Sequence, residues 1–273
     1  MTNSVTYQAV LPCRRETVSF VAELLRIQRL ARGTRAGRRV LDCFAQAVLV
    51  LRWYLDGTRV DQLARDNTIG RSTAYDYLNE ALRVLARRRP TLRGALIAAL
   101  AAGYSHVIVD GTLIRIDRLK VAGPNGSDLY WSGKHKHHGG NIQVVCAPDG
   151  WPLRTSNVRP GREHDTTAFR AHDMPATLAE IAAELPILTD LGYEGEADLL
   201  TIAHKKPNGG KLTVDQQQYN ALQTALRAIG ERANSLLKTT FKALRRVSLD
   251  PGRIGDIVAG ALVLLHVEHD RTT

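Results

Sequence analysis

The chain changes from helical to strand-like patterns at His-Val-Ile-Val-Asp-Gly-Thr, residues 106–112. The apolar run at its start predicts a buried strand. Gly111 and Thr112 predict a tight turn into an antiparallel partner strand over residues 113–119. A carboxylate at the exit of a buried strand is costly unless it is paired or bound to a cation. Asp110 is therefore the first candidate site residue.

Downstream of this stretch, strand patterns alternate with helical ones. The predicted strands cover residues 141–147, 153–158, 186–189 and 199–203. The predicted helices cover residues 164–184, with an interruption near Pro175, and residues 214–246, as one long helix or two abutting ones. Early strands followed by alternating helices and strands predict a mixed sheet of the α+β or α/β class. We assign this mixed-sheet domain to residues 101–273.

Upstream, the patterns are helical. The predicted helices cover residues 16–30, 40–55, 60–67, 71–86 and 92–102. The basic segment Arg87-Arg88-Arg89-Pro90 indicates a helix end and a domain boundary. We therefore expect a separate helical domain over residues 1–100.

Two of these helices, over residues 60–86, resemble a helix-turn-helix. Ala64 is small where the two helices would cross, and Ile69 would anchor the turn. In this motif the first residues of the second helix face the DNA major groove. Here those residues are Arg71, Ser72, Thr73 and Tyr75. An ordinary helical hairpin with the same turn chemistry is the alternative.

The positive charge of the chain is concentrated in its helical part. Residues 1–109 hold 17 arginines, no lysine and 8 acidic residues, which accounts for 9 of the chain's net charge of +10. The arginine guanidinium binds phosphate bidentately, so the asymmetry favours nucleic acid as a partner of this part. A GC-rich genome would explain arginine in place of lysine, but not the asymmetry.

Other features of the composition indicate a cytoplasmic protein without a membrane partner. No apolar stretch reaches the roughly 18 residues of a transmembrane helix. The beginning of the sequence lacks the basic-then-apolar order of a signal peptide. The three cysteines are scattered, which argues against a disulfide framework.

Two further acidic residues stand in informative contexts. Asp190 follows the apolar run 187–189, and Glu231 lies within the long helical pattern. Two carboxylates at strand ends and one on a helix can form a cage of hard oxygen ligands for Mg²⁺, which Mn²⁺ can replace. Two such ions can activate a water and stabilise a leaving oxygen at a phosphodiester.

The long helix has a basic face that includes Glu231. At 100° per residue, Arg227, Glu231, Lys238, Lys242 and Arg245 fall within about 60° of one another. Its apolar residues fall on the opposite side. Cations beside a metal-binding carboxylate would hold DNA phosphates. The alternative is a solvated face with ordinary ion pairs.

The loop before residue 141 contains a cluster of histidines. His135, His137 and His138, with Cys146, suggest zinc, but a paired second half of a zinc motif is missing. A basic loop near DNA, with Lys134 and Lys136, is the preferred interpretation. Trp131 could stack on a flipped base, although a packed aromatic is the simpler interpretation.

Taken together, several motifs resemble the DDE transposases of bacterial insertion sequences, and more narrowly the branch related to PIF/Harbinger elements. The acids are spaced by 80 and then 41 residues. The motifs that carry the resemblance are Val109-Asp110-Gly111-Thr112, Gly133-Lys134-His135-Lys136-His137, Asn141-Ile142-Gln143-Val144-Val145, Pro160-Gly161-Arg162-Glu163-His164-Asp165, Asp190-Leu191-Gly192-Tyr193-Glu194-Gly195 and Arg227 through Glu231 to Lys238.

The resemblance implies a ribonuclease H-like core with Asp110, Asp190 and Glu231 as catalytic metal ligands. It also implies a place near the active-site groove for His164 and Asp165. Related families carry Tyr-x₂-Arg-x₃-Glu-x₆-Lys around the glutamate. This chain keeps the arginine, the glutamate and the lysine of that motif, but has Thr224 at the tyrosine position.

These observations predict a transposase that cuts DNA at element ends and joins the 3′ ends to target DNA. Because two ends must be brought together, we expect a homodimer or larger assembly on DNA, associated with the nucleoid. A host-adopted endonuclease without strand transfer is one alternative. A helix-turn-helix regulator with an inactive second domain is another.

Overall fold

The computed structural model describes residues 8–123, 126–172 and 174–273. The helices in these ranges are α1 Arg15–Ala31, α2 Cys43–Asp56, α3 Val60–Asp66, α4 Arg71–Ala86, α5 Leu92–Ala101, α6 Asp165–Arg170, α7 Met174–Ala179, α8 Val214–Thr240 and α9 Ile254–Glu268. The strands are β1 Val107–Arg115, β2 Trp131–Ser132, β3 His137–Cys146, β4 Pro152–Thr155, β5 Arg159–Pro160 and β6 Ile187–Leu188. None of these helices is long and apolar enough to span a membrane.

The helices of the N-terminal part lie where the sequence predicts them. Asp42 caps α2 by accepting a hydrogen bond from the Ala45 amide, and Gly57 ends that helix with a left-handed backbone, φ 66°. Between α3 and α4 the turn includes Thr68, whose φ of 53° is also positive. Ala64 is buried at the contact between the two helices.

The C-terminal helix α9 joins the helical part to the sheet. It packs against α4 and against β4. The Tyr54 hydroxyl donates a 3.1 Å hydrogen bond to the Ile257 carbonyl, and Gly260 lies against the Tyr54 ring. α9 follows the sheet in sequence, yet the apolar residues of both parts form one continuous core.

The sheet is mixed, as predicted, with the order β2-β3-β1-β6 and with β4 and β5 also paired to β3. β1 and β3 form a long antiparallel ladder in which Asp110 lies opposite Val144. β6 runs parallel to β1 and pairs only with Val107 and Ile108. Beyond Ile108, β6 no longer pairs with β1, so the segment that follows β6 can lie beside this edge of β1.

The predicted turn at Gly111-Thr112 is wrong. β1 runs straight through both residues, and its partner is β3 rather than residues 113–119. Asp110 consequently lies inside a strand, not at its end. The glycine is explained by the close approach of the Asp165 side chain, which belongs to α6.

Other predicted elements are also shorter than expected. The predicted helix at 164–184 is formed by α6 and α7 only, and Pro175 lies inside α7. The strand at 199–203 is a single bridge between Leu188 and Thr201. The helix at 214–246 ends at Thr240, and a short 3₁₀ turn, Lys242–Leu244, follows. Because the helix stops there, Lys242 and Arg245 do not continue the face of α8 that carries Glu231.

Candidate functional site

Asp110 is the central residue of the candidate site. Its side chain lies on the face of the sheet that α8 covers, since Gly230 of α8 packs on Ile108, two residues earlier on the same face. A Cβ atom at position 230 would lie 2.7 Å from Ile108 Cγ2. This close packing of helix and strand places the polar edge of α8 beside Asp110.

The environment of Asp110 disfavours its charge. Burial, together with the neighbouring charge of Asp190, raises the pKa of Asp110 to about 6. Asp165 and Glu231 act in the same direction, while the Arg227 guanidinium opposes them. Three acidic residues thus act on the charge of Asp110 at this place.

Asp190 reaches the site because β6 ends just before it. The Thr189 hydroxyl donates a 3.0 Å hydrogen bond to the Val109 carbonyl, which ties the end of β6 to β1. The Asp190 carboxylate accepts a 2.8 Å hydrogen bond from the Gly192 amide and caps the 3₁₀ helix Leu191–Glu196.

Asp165, in the first turn of α6, lies directly over Gly111. A Cβ atom at position 111 would overlap the Asp165 carboxylate, with its Cγ only 2.7 Å away. Asn141 donates a 2.8 Å hydrogen bond to Asp165, and Lys134 Nζ lies 3.9 Å from the carboxylate. The close approach of Asp165 is therefore the physical reason for a glycine after Asp110.

One edge of α8 supplies polar groups to Asp110 and its neighbour Thr112. Asn234 donates a 2.8 Å hydrogen bond to Asp110 Oδ2, and Lys238 Nζ lies 2.7 Å from the Thr112 hydroxyl. Burial lowers the pKa of Lys238. Glu231 lies on the same edge but is exposed to solvent.

A cleft of about 680 Å³ opens on the side of Asp165 and Asp190. Its walls also include residues 131–135 of the histidine-containing loop and His164. Asp110 and Glu231 are not among its lining residues. The cleft therefore reaches the acidic cluster from the side opposite α8.

The carboxylate oxygen atoms of this site suit a hard cation, but they are not close enough together to surround one metal position. Within the described ranges, no group of three or more His, Cys, Asp or Glu side chains lies close enough together to hold a metal ion. Glu231 remains in solvent, while the charge of Asp190 acts on the partly buried Asp110. The donors are oxygen atoms, which Mg²⁺ prefers, and their crowded negative charge is what a cation would neutralise.

The groups considered for zinc have other roles. His138 Nε2 lies 2.9 Å from Asp128 Oδ2, and the Trp131 ring contacts the His138 ring edge-on. Cys146 is buried under α8, and burial raises the pKa of its thiol to about 12. Such a thiol is not a reactive or metal-seeking thiolate.

The residues predicted to contact DNA are not gathered in one place. Arg71 and Ser72 are exposed at the start of α4, where Arg71 forms a 2.9 Å ion pair with Asp61. Lys134 and Lys136 are exposed near the cleft. Lys242 lines a separate groove of about 500 Å³ between α3–α4 and the segment after α8, together with Arg59, Arg71, Tyr75, Asp117 and Arg246.

Comparison with known proteins identifies the family. A family model described as DDE superfamily endonuclease matches residues 109–266, more than half of the chain. The chain belongs to this family. DNA is therefore its expected partner. The chain is 21% identical, over 229 residues, to the probable transposase for insertion sequence element IS702 of Microchaete diplosiphon.

The match to this transposase covers 82% of the chain and 80% of the relative. No solved structure matches the chain. The resemblance to DDE-type insertion-sequence transposases is thereby confirmed. The narrower PIF/Harbinger branch stays a prediction.

Asn234 is the clearest site residue that our sequence reasoning missed. It lies three positions after Glu231 and seven after Arg227, so helical periodicity places it on the same edge. The amide became visible as a site group only through its contact with Asp110.

Proposed function

We propose that this endonuclease is a transposase that cuts DNA at element ends and transfers the 3′ ends to target DNA. The observation that carries the proposal is the partly buried Asp110, whose charge is disfavoured by Asp190, Asp165 and Glu231 beside the cations Arg227 and Lys238. A carboxyl group with a perturbed pKa among other acidic residues beside a cleft is typical of catalytic sites.

Asp110, Asp190 and Glu231 would hold Mg²⁺, for which Mn²⁺ can substitute. The bound ions would supply Lewis acidity for attack on a phosphodiester and for departure of the 3′ oxygen. Asp165 supplies a fourth carboxylate next to Gly111, on the cleft side. His164, at the N-cap of α6, would lie along the path of the DNA.

The remaining groups would position the substrate and the carboxylates. Asn234 holds one oxygen of Asp110 through its amide and leaves the other available. Arg227 and Lys238 would bind phosphates on the α8 side, and Lys134 and Lys136 on the loop side. Because these contacts are between opposite charges, they would weaken with salt.

The wider architecture supports the same proposal. The mixed sheet with a helix packed over the central aspartate is what a ribonuclease H-like core of residues 101–273 would present. Residues 1–100 would bind DNA through the helix-turn-helix, with Arg71, Ser72, Thr73 and Tyr75 toward the major groove and Lys242 at the adjoining groove. A homodimer or larger assembly would hold two ends together.

The test is cleavage and joining of a DNA duplex that carries the element end. The purified protein is incubated with the duplex, a target plasmid and Mg²⁺ or Mn²⁺, beside Asp190→Asn and the control Asp198→Asn. Asp198 is exposed and near Asp190 in sequence. We expect cleavage and joining by the wild type and the control, and a loss of about a thousandfold in Asp190→Asn.

Other outcomes separate the alternatives. Metal-dependent cleavage without joining would establish an endonuclease that does not transfer strands. Specific duplex binding without cleavage, weakened by Arg71→Gln, would indicate a DNA-binding regulator. Equal cleavage by the wild type and Asp190→Asn would overturn the proposed site.

A further inference from the structure

A second group of buried charges lies on the other face of the sheet. Val145 of β3 lines a cavity of about 440 Å³. Val145 pairs with Val109, and Asp110 pairs with Val144. Because side chains alternate along a strand, the cavity is on the face opposite the Asp110 side chain. Its other walls come from the start of α5, from β4 and from the segment between α6 and α7.

The guanidinium of Arg154 lies partly buried in the wall of this cavity without a partner of opposite charge. Its Nε and Nη1 atoms are inaccessible to solvent and donate no hydrogen bond. Among the described residues, no carboxylate forms an ion pair with it. Burial and repulsion from Arg89 lower the pKa of Arg154 to about 9, so it remains charged at neutral pH.

The surroundings of Arg154 add further positive potential. Arg89 donates hydrogen bonds of 2.9 and 3.0 Å to the carbonyls of Thr155 and Ser156, and one of 3.0 Å to the Asn157 side chain. These three residues also line the cavity. Arg89 is thus held against the cavity wall with its charge unopposed by any ion pair in the described ranges.

His172 is a further residue of this cavity that has a buried polar atom without a hydrogen-bond partner. Its Nε2 atom is buried without a hydrogen-bond partner, and the residue lines the cavity. Burial lowers the pKa of His172, and repulsion from Arg159, Arg154 and Arg89 acts in the same direction. Three arginines therefore raise the electrostatic potential at one point of the cavity.

A buried guanidinium that lacks its hydrogen bonds is costly to a fold. It becomes favourable when the side chain turns toward the cavity and an anion there accepts its hydrogen bonds, because charge-assisted hydrogen bonds are the strongest ones that arginine makes. Phosphate groups match the arginine fork. The volume of the cavity is within the range of small-ligand sites.

We propose that this cavity is an anion site in which Arg154, Arg89 and His172 bind a phosphate group. The site is separate from the carboxylates and does not depend on the proposed catalytic function. The phosphate can come from a free anion or from a DNA backbone that reaches the cavity mouth at Arg93, and both sources share the same chemistry.

The experiment measures thermal unfolding of the full chain against inorganic phosphate, with chloride at matched ionic strength. The variants are Arg154→Met, Arg154→Lys and the control Arg88→Met, which removes an exposed charge from the same region. We expect phosphate to raise the Tm of the wild type and of Arg88→Met by several degrees. The increase should be smaller in Arg154→Lys and absent in Arg154→Met.

The Tm without phosphate is a second readout. Arg154→Met removes an unpaired buried charge, so its Tm in chloride should be equal to or above that of the wild type. This result also shows that the variant folds. A wild type that responds equally to phosphate and to chloride would overturn the proposal, as would an undiminished phosphate response in Arg154→Met.

Duplex binding distinguishes the two sources of phosphate. If Arg154→Met weakens duplex affinity by about tenfold and Arg88→Met does not, the cavity takes a backbone phosphate of DNA. If the duplex affinity of Arg154→Met equals that of the wild type while its phosphate response is lost, the cavity takes a free anion.

Discussion

Two places on opposite faces of the sheet each hold groups of like charge, acidic around Asp110 and basic around Arg154. Under α8, Asp110 lies beside Asp190, and its pKa is raised to about 6. On the other face, Arg154 lies beside Arg89, and its pKa is lowered to about 9. Each face buries like charges that the described residues neutralise only in part. Each is therefore suited to a ligand of the opposite sign, a cation on one side and a phosphate on the other.

The two faces differ in how far neighbouring side chains stabilise the charged group. Asp110 accepts a hydrogen bond from Asn234, and the positive charge of Arg227 favours the ionised form of Asp110. Arg154 has two nitrogen atoms with no partner. The comparison teaches that the fold holds the Asp110 carboxylate in position through Asn234, whereas two nitrogen atoms of Arg154 stay unpaired among the described residues.

The largest effect is expected from Asp110→Asn. Cleavage should fall about a thousandfold, because the buried carboxylate is lost. Stability should change in the opposite direction. Since the folded-state pKa of Asp110 is raised from 3.8 to about 6, its ionisation opposes folding by up to about 3 kcal/mol.

That penalty is absent below the unfolded pKa and grows as the pH rises through the folded pKa. Without divalent cations, Asp110→Asn should unfold at a higher temperature than the wild type near pH 8, and at a similar temperature near pH 4. Tm measured across this range tests the expectation. A lower Tm of the variant near pH 8 would show that the charge of Asp110 is already compensated within the protein.

Gly111→Ala should have the next largest effect, because its methyl group would displace the Asp165 carboxylate. We expect cleavage to fall by about 10- to 100-fold and stability by about 1–3 kcal/mol. Gly133→Ala is the matched control, since a Cβ atom there meets nothing within 4 Å. Equal cleavage rates for the two variants would mean that the position of Asp165 is unimportant.

Asn234→Ala should lower cleavage by about tenfold, because Asp110 loses the amide that holds it. Loss of a hydrogen bond to the charged form raises a carboxyl pKa. The acidic limb of the pH–rate profile should therefore move to higher pH. Ser235→Ala, at the exposed neighbouring position, serves as the control and should leave the profile where it is. A merely structural role of Asn234 would lower the rate without moving that limb.

The smallest effect is expected from adding Mg²⁺ or Mn²⁺ to the wild type without DNA. Binding to the folded state should raise the Tm by a few degrees. The increase should be larger near pH 8 than near pH 5, because Asp110 is ionised above its pKa of about 6. Asp110→Asn should respond less. A Tm increase that is independent of both pH and Asp110 would place the cation elsewhere.

Much of the secondary structure could be predicted from local patterns. Helices α1 to α5 lie within a few residues of their predicted bounds, because apolar periodicity and caps are local signals. The turn predicted at Gly111-Thr112 was wrong, because the sequence does not distinguish a glycine required by the close approach of Asp165 from a glycine in a turn. The true partner of β1 is distant in sequence, and no local pattern reports it.

The sequence by itself determined the order of the elements, the charge asymmetry and the three acids with their spacing, since these depend only on residue type and position along the chain. The tertiary structure alone decided that Asp110 is inside a strand, that Asn234 holds it, that Asp165 lies over Gly111 and that Arg154 is buried without a partner. The physical reason is that burial and the fields of neighbouring charges depend on segments far apart in the chain.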